Sequence, residues 1–68
     1  MKKIINISNM TCEHCSAHVK EALENLNEVC DVKVSLFRKR AVVEGENLSD
    51  DILKNAVETA GYTVTSIE

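Results

Sequence analysis

The order of secondary structure is set early in the chain by residues 3–26, which read KIINISNMTCEHCSAHVKEALENL. In the first part, Ile5 and Ile7 alternate with polar residues, which predicts a half-buried strand over residues 3–8. In the last part, apolar residues recur at helical spacing (Val19, Ala22, Leu23 and Leu26), which predicts an amphipathic helix over residues 14–26. A strand therefore passes into a helix through a short loop that holds two cysteines.

The rest of the chain predicts three more strands and a second helix. The alternating apolar positions of the strands are Val32, Val34 and Leu36; Ala41 and Val43; and Tyr62, Val64 and Ser66. The buried stripe of the helix comprises Ile52, Leu53, Ala56, Val57 and Ala60. Ser49 suits its N-cap, and Gly61 suits a left-handed stop. The order βαββαβ predicts one α+β domain over residues 1–68, a ferredoxin-like sandwich with a four-stranded antiparallel sheet and two helices on one face.

This topology predicts which loops meet. Because every element reverses the chain, the first, third and fifth loops lie at one end of the domain. That end should bring together Cys12 and Cys15, the charged turn Arg38-Lys39-Arg40, and Gly61-Tyr62. Cys30 begins the second strand at the opposite end, roughly 20 Å away at about 3.3 Å per strand residue, too far for a disulfide to the pair.

Size and composition argue against several classes of function. A chain of 68 residues has little room for a deep substrate pocket, so we expect no enzyme. The net charge of −3 and the single Tyr, single Phe and absent Trp argue against nucleic acid as a partner. No apolar run could span a bilayer or resemble a signal peptide, which predicts a cytoplasmic protein without membrane insertion. Cytoplasmic thiols stay reduced, which favours metal binding over a structural disulfide.

Cys12 and Cys15 form the motif that carries chemistry. Two soft sulfur donors at this spacing indicate either a metal site or a redox pair. Cu(I) accepts two sulfurs, whereas structural zinc needs four ligands and the chain has no second Cys-x-x-Cys or His pair. Thioredoxin-like domains are longer and carry a cis-Pro, and this chain has no Pro. Cys15 at the helix N-terminus favours a thiolate, and Cys12 on the loop can move during ligand exchange.

The whole chain resembles the heavy-metal-associated domain family, and within it the bacterial copper chaperones of the CopZ type. The matching residues are Met10, Cys12 and Cys15 of the loop, Val29, Val32, Val34 and Leu36, Ala41 and Val43, and Gly61-Tyr62. The resemblance implies one Cu(I) held by both loop cysteines and transferred to the metal-binding domain of a copper-transporting P-type ATPase. Asn9 and Glu28 depart from the family, which usually has Gly at both positions. Asn tolerates left-handed geometry better than most residues.

The resemblance also implies roles for residues near the pair. Met10 has a soft thioether but packs inward beneath the loop in the family, so we expect a core residue rather than a third ligand. Tyr62 is expected either to shield the metal and donate a hydrogen bond or to be an aromatic residue at the edge of the core. Thr11 is expected to cap or support the loop. His14 either modulates the thiols, is an exposed bystander, or ligates the metal.

Other residues and functions remain open at this point. We expect His18 to be a surface polar residue, Cys30 a small packing residue, and Arg38-Lys39-Arg40 a solvated turn that could also steer an acidic partner. The chain could be a domain of a copper-transporting ATPase, although Met1 directly before the first strand favours a free-standing protein. Further alternatives are a carrier of Hg(II), Zn(II) or Cd(II), and a thiol–disulfide reductase. Copper could also bridge two copies into a homodimer through four cysteines.

Overall fold

The elements follow the predicted order in the computed structural model, which describes residues 1–68. Their bounds are β1 (Lys2–Ile7), α1 (Glu13–Glu24), β2 (Val29–Ser35), β3 (Arg40–Gly45), α2 (Asp50–Thr59) and β4 (Val64–Ile67). The strands form one antiparallel sheet in the order β2-β3-β1-β4. This arrangement confirms the ferredoxin-like α+β fold. Because β1 lies between β3 and β4, the loop that follows β1 is flanked by the β2–β3 turn and the α2–β4 loop.

An aliphatic core lies between the sheet and the two helices. It contains Ile5, Ile7, Met10, Val19, Leu23, Val32, Ala41, Val43, Leu48, Leu53 and Val57. Strands supply it through alternate residues and the helices through residues four apart, as the sequence patterns predict. Ile52 was predicted to be buried, but its side chain is 42% exposed. It lines an open groove between α1 and α2. The face of α2 that packs against the core is therefore narrower than the apolar residues of the sequence predict.

The C-terminus of α2 has the hydrogen bonds of a Schellman motif. The Gly61 N–H donates to the Glu58 carbonyl at 3.0 Å, and the Tyr62 N–H donates to the Val57 carbonyl at 3.2 Å. Gly61 has φ of 100°, which confirms its predicted role as the left-handed stop. Ser49 is the N-cap residue, although its side chain makes no capping hydrogen bond. The motif fixes the direction in which the chain leaves α2, and thereby places Tyr62.

Several predicted boundaries were wrong. Helix α1 ends at Glu24 because the Leu26 N–H bonds to Leu23, three residues back, and a turn then closes from Val29 to Leu26. Leu36 belongs to the β2–β3 turn, where its carbonyl accepts from Lys39. Arg40, predicted in that turn, is the first residue of β3 and pairs with Ser35. In each case a local backbone hydrogen bond overrides the side-chain pattern.

The last strand differs most from its prediction. Tyr62 lies before β4, and the pairing with β1 shifts register between Val64 and Ser66. The extra residue puts Val64 against the core, whereas the hydroxyl of Ser66 accepts a 2.9 Å hydrogen bond from the side-chain amide of Asn6. Val64 and Ser66 therefore do not share a face. The alternation of apolar residues in the sequence does not reveal a β-bulge of this kind.

The predicted grouping of loops is confirmed by hydrogen bonds at the end of β1. The Ile7 N–H donates to the Lys39 carbonyl at 2.9 Å, and the Ser8 N–H donates to the Thr63 carbonyl at 3.0 Å. The first, third and fifth loops thus lie side by side. Cys30 lies near Met1 and Glu46 at the other end of the sheet. It was predicted to pack, but it is exposed because a register shift at this residue turns it outward.

Candidate metal site

The two loop cysteines lie together at the start of α1. Cys12 is the N-cap residue, and its Sγ accepts a 3.4 Å hydrogen bond from the N–H of Cys15. The two Sγ atoms are 2.9 Å apart, and both cysteines are free thiols. The unpaired N–H groups at this end of the helix favour negative charge. The pair therefore presents two adjacent sulfur donors where thiolates are stabilised.

The environment of Cys15 lowers the pKa of its thiol. Its pKa falls from 9.0 to about 7, mainly because the Cys12 thiol donates a hydrogen bond to it. The Tyr62 hydroxyl and the backbone of Thr11 and Cys12 lower this pKa further, and desolvation partly opposes them. Cys15 is half-buried against the core, while Cys12 is exposed. Cys15 is thus the anchored sulfur, and Cys12 is the sulfur that an incoming molecule can reach.

Tyr62 approaches the pair from the α2–β4 loop. The hydrogen bond that it donates to Cys15 raises the pKa of the Tyr62 hydroxyl, and desolvation and the negative charge of the two cysteines raise it further. Its ring packs at the edge of the core. Tyr62 is thus an aromatic side chain at the edge of the core, and its expected role of shielding a bound metal stays a prediction.

Asn9 connects the cysteine loop to the loop that carries Tyr62. Its side-chain oxygen accepts a 2.7 Å hydrogen bond from the N–H of Thr63, and its side-chain nitrogen donates to the Gly61 carbonyl at 3.5 Å. The backbone of Asn9 is not left-handed, so that reason for accepting Asn in place of Gly was wrong. This role could not be predicted from the sequence, because the residues bonded to Asn9 are 52 and 54 positions away.

Met10 and Thr11 flank the pair in different ways. The Met10 side chain is fully buried in the core, as expected for a packing residue. Thr11 is exposed, and the N-cap position belongs to Cys12 instead. The backbone of Thr11 reaches Cys15 and lowers the pKa of that thiol. Of the two expected roles, Thr11 does not cap the helix, and its main chain is the part that reaches the site.

The two histidines have unequal positions on α1. His14 is exposed beside Glu13 and Ala17 and makes no hydrogen bond to either sulfur. His18, expected to be only a surface residue, lies with its Nδ1 atom 3.4 Å from the Tyr62 hydroxyl. Sequence reasoning missed this contact because the partner lies 44 residues away. The helical spacing of three residues from Cys15 was the one available signal.

The chemistry open to this arrangement is soft-metal binding or thiol exchange. Thiolates prefer Cu(I) and Zn(II) to hard cations. The structure contains no group of three or more His, Cys, Asp and Glu side chains placed to hold a metal ion. Neither helix is long and apolar enough to cross a bilayer.

Known proteins share both the sequence and the fold. The family model for the heavy-metal-associated domain matches residues 4–63. The copper chaperone CopZ of Staphylococcus haemolyticus is 38% identical over 66 residues, covering 94% of this chain and 97% of that protein. The copper-transporting ATPase RAN1 of Arabidopsis thaliana is 40% identical over 65 residues, covering 91% of this chain and 6% of that protein. The mercuric reductase of Shewanella putrefaciens is 38% identical over 60 residues, covering 87% of this chain and 11% of that protein.

A solved structure gives the same result in three dimensions. The CopZ metallochaperone superposes with a TM-score of 0.91 at 30% sequence identity, covering 96% of this chain and all of that one. The residues that the family model matches include both cysteines of the loop and all elements from the third residue of β1 through α2, but not β4. The chain belongs to the heavy-metal-associated domain family.

Proposed function

We propose that this protein is a copper chaperone that binds one Cu(I) through Cys12 and Cys15 and transfers it without catalytic turnover. The observation that carries the proposal is the pair of free Sγ atoms, 2.9 Å apart, at the N-terminus of α1. Two soft sulfur donors match the preference of Cu(I). The similarity to copper chaperones over nearly the whole chain supports the same function.

The unequal environments of the two cysteines support transfer by stepwise ligand exchange. A thiolate of the acceptor attacks the bound ion and forms a third copper–sulfur bond. The bond to exposed Cys12 then breaks, a second acceptor thiolate binds, and the bond to Cys15 breaks last. Each departing sulfur leaves as a thiolate and the acceptor sulfurs bind as thiolates, so copper keeps its oxidation state throughout.

The acceptor in this proposal is the metal-binding domain of a copper-transporting P-type ATPase in the cytoplasm. The similarity to RAN1 supports such a partner, because that ATPase contains a segment related to this chain. The same similarity favours a second candidate, namely that the chain acts as the metal-binding domain of an ATPase. A pull-down from the source cell followed by mass determination separates the two, because an ATPase domain would be part of a much larger polypeptide.

Binding is tested by adding Cu(I) to the reduced protein under anaerobic conditions in competition with a chelator. We expect one ion per chain for the wild type and for Cys30→Ser, which is the matched control at the far end of the sheet. Cys12→Ser and Cys15→Ser should each lose this binding while remaining folded. High-affinity binding that survives in both variants would end the proposal.

Metal preference and assembly are tested by native mass spectrometry. Parallel loading with Hg(II), Zn(II) and Cd(II) distinguishes a copper carrier from another soft-metal carrier. A species with two chains and one Cu(I) would indicate the bridged homodimer.

Transfer is measured by mixing the loaded protein with an isolated ATPase metal-binding domain. A carrier should lose its copper to that acceptor within seconds, whereas an inert storage site should retain it.

A further inference from the structure

The β2–β3 turn carries the most exposed large apolar side chain of the molecule. Phe37 is 95% exposed, compared with 66% for Met1 at the chain terminus and 42% for Ile52. It is the single Phe of a chain that has one Tyr and no Trp. Nearly the whole ring is in contact with water in the free protein, so a partner that covered it would remove a large apolar surface from water.

Hydrogen bonds hold this turn and join it to its surroundings. The Lys39 N–H donates to the Leu36 carbonyl at 3.2 Å, and the Arg38 N–H donates to the Ser35 hydroxyl at 3.3 Å. The Ile7 N–H donates to the Lys39 carbonyl at 2.9 Å, which connects the turn to the strand that leads into the cysteine loop. Leu36 packs against the core. The turn therefore presents its phenyl ring without the loss of freedom that ordering a flexible loop would cost on binding.

The charged residues that follow Phe37 indicate which kind of surface would cover it. Arg38, Lys39 and Arg40 come directly after it, and none of them forms an ion pair within the protein. Lys39 has φ of 51°, a left-handed conformation that a glycine adopts at lower cost. The turn thus keeps a positive charge where glycine would be easier to accommodate. An apolar ring beside unpaired cations fits a protein surface on which carboxylates surround an apolar pocket.

We propose that Phe37 is the apolar anchor of a docking surface, formed with Arg38 and Lys39, for an acidic protein that has an apolar pocket. The proposal rests on the function proposed above, because the turn lies beside the loop of Cys12 and Cys15 and the docked protein is the copper acceptor. Aromatic residues and Arg are enriched at the centres of protein interfaces. The charges guide the approach of the acceptor, and burial of the ring holds it in place while copper changes ligands.

Two other occupants fit this surface less well. Clusters of about four to eight basic residues are typical of segments that bind anionic lipids, whereas the run from Arg38 to Arg40 has three. A second copy docked through the same turn would bring Arg38 and Lys39 against their own equivalents, and like charges repel. Binding to a membrane or to a second copy is therefore an outcome that would contradict the proposal.

The main test measures copper transfer to an isolated ATPase metal-binding domain over a range of acceptor concentrations. Phe37→Ser should raise the acceptor concentration for half-maximal transfer about 10-fold and leave the rate at saturating acceptor unchanged. Phe37→Leu keeps an apolar side chain and should recover part of the affinity. Ile52→Ser, which removes an exposed apolar side chain from α2, is the matched control. An unchanged half-maximal concentration in Phe37→Ser, or an equal effect of Ile52→Ser, would overturn the proposal.

Salt and a small acceptor separate the anchor from other effects. Added salt screens Arg38 and Lys39 but does not weaken burial of the ring, so the effect of Phe37→Ser should persist at high salt. Transfer to a small thiol chelator needs no docking and should be equal in wild type and Phe37→Ser. The urea midpoint should also be equal, because the substituted side chain is exposed. Slower transfer to the chelator, or a lower midpoint, would assign Phe37 to the copper site or the fold instead.

Two measurements without copper complete the test. Adding the same acceptor domain to the metal-free protein should shift the NMR signals of the ring, which is the single Phe of the chain. If the wild type binds no Cu(I), the proposed function fails, while this titration still decides the docking: unshifted ring signals would overturn it. We expect no binding to phosphatidylglycerol vesicles and no self-association in sedimentation. Either one, if Phe37→Ser abolished it, would assign the ring to that occupant and overturn the proposal.

Discussion

Cys12 and Cys15 have the same chemistry but different surroundings. Cys12 is exposed at the helix N-cap, whereas Cys15 packs against the core with its Sγ atom 2.9 Å from that of Cys12. Cys15 is therefore a thiol of lowered pKa that is held against the core, whereas Cys12 is accessible. This asymmetry supports the order of departure proposed above for the two sulfurs.

The lowered pKa of Cys15 predicts a pH dependence in the metal-free protein. Thiolate absorbance should show one thiol titrating near pH 7, and Tyr62→Phe should move that titration to higher pH because it removes one donor. Since the unfolded thiol has the ordinary pKa of 9.0, the free energy of unfolding should gain from Cys15 as pH rises from about 7 to 9, and lose that gain as pH falls through 7. Urea unfolding across this range should show the difference, and Cys15→Ser should abolish it.

Substitutions of Met10 test whether its side chain serves core packing or metal binding. Its side chain is fully buried, so Met10→Ala should lower the free energy of unfolding by about 2–5 kcal/mol. Met10→Leu keeps the volume and should cost less than about 1.5 kcal/mol. We expect Met10→Leu to retain the Cu(I) affinity of the wild type. A large loss of affinity with intact stability would make the thioether a ligand.

At the scale of elements, the two loops beside β1 act as one unit. Asn9 bonds to both Gly61 and Thr63, and the Schellman motif fixes Tyr62 between them. The position of Tyr62 over Cys15 thus depends on the connection between two loops rather than on either loop alone.

Removing that connection predicts a specific loss. Asn9→Gly deletes two hydrogen bonds and should destabilise the protein by about 1–3 kcal/mol, since each contributes about 0.5–1.5 kcal/mol. Amide hydrogen exchange of Thr63 should accelerate more than that of the buried strand β3. Asn25→Gly is the matched control, because Asn25 is exposed at the C-cap of α1 and far from these loops in sequence. Unchanged exchange at Thr63 in Asn9→Gly would show that the loops hold together without the side chain.

Gly45 marks a close approach between two other elements. A Cβ atom at this position would clash with the carbonyl oxygen of Glu28, which belongs to the turn before β2. Gly45→Ala should therefore force the turn and β3 apart and cost about 1–3 kcal/mol, as overpacking does elsewhere. Thermal unfolding measures the change.

Gly61→Ala tests backbone strain rather than a steric clash, because a Cβ atom at Gly61 would meet no atom within 4 Å but the residue has φ of 100°.

At the scale of the whole molecule, charge is distributed unevenly despite the net charge of −3. Arg38 and Lys39 are exposed in the β2–β3 turn. This turn lies beside the start of the cysteine loop, because the Ile7 N–H donates a hydrogen bond to the Lys39 carbonyl. Glu44 and Glu46 lie at the opposite end near Cys30, together with Lys2. The exposed positive charges of Arg38 and Lys39 attract an acidic surface to the cysteine end and repel a basic one.

This charge distribution predicts a salt-dependent encounter with an acidic acceptor. The double variant Arg38→Glu with Lys39→Glu should slow copper transfer by about 10-fold or more at low salt, because favourable steering becomes repulsion. The difference from wild type should shrink as added salt screens the charges. Equal stability of the two proteins is the control. A transfer rate that changes neither with the double substitution nor with salt would show that the turn does not steer the acceptor.

The sequence alone determined the fold class, the order of elements and the most conspicuous part of the candidate site. Apolar periodicity reports which face of a strand or helix is buried, so the inward positions Ile5, Ile7, Val19 and Leu23 could be predicted from their neighbours. Gly61 could be predicted because a left-handed stop depends on local backbone geometry. The cysteine spacing likewise fixed two donors within one helical turn.

Only the tertiary structure decided what surrounds those donors. The contacts of His18 with Tyr62, and of Asn9 with Gly61 and Thr63, join residues between 44 and 54 positions apart. They exist because the sheet places β1 between β3 and β4, and because a bulge adjusts the register of the last strand. Periodicity records whether a side chain faces the core, but it carries no information about which distant side chain it meets there.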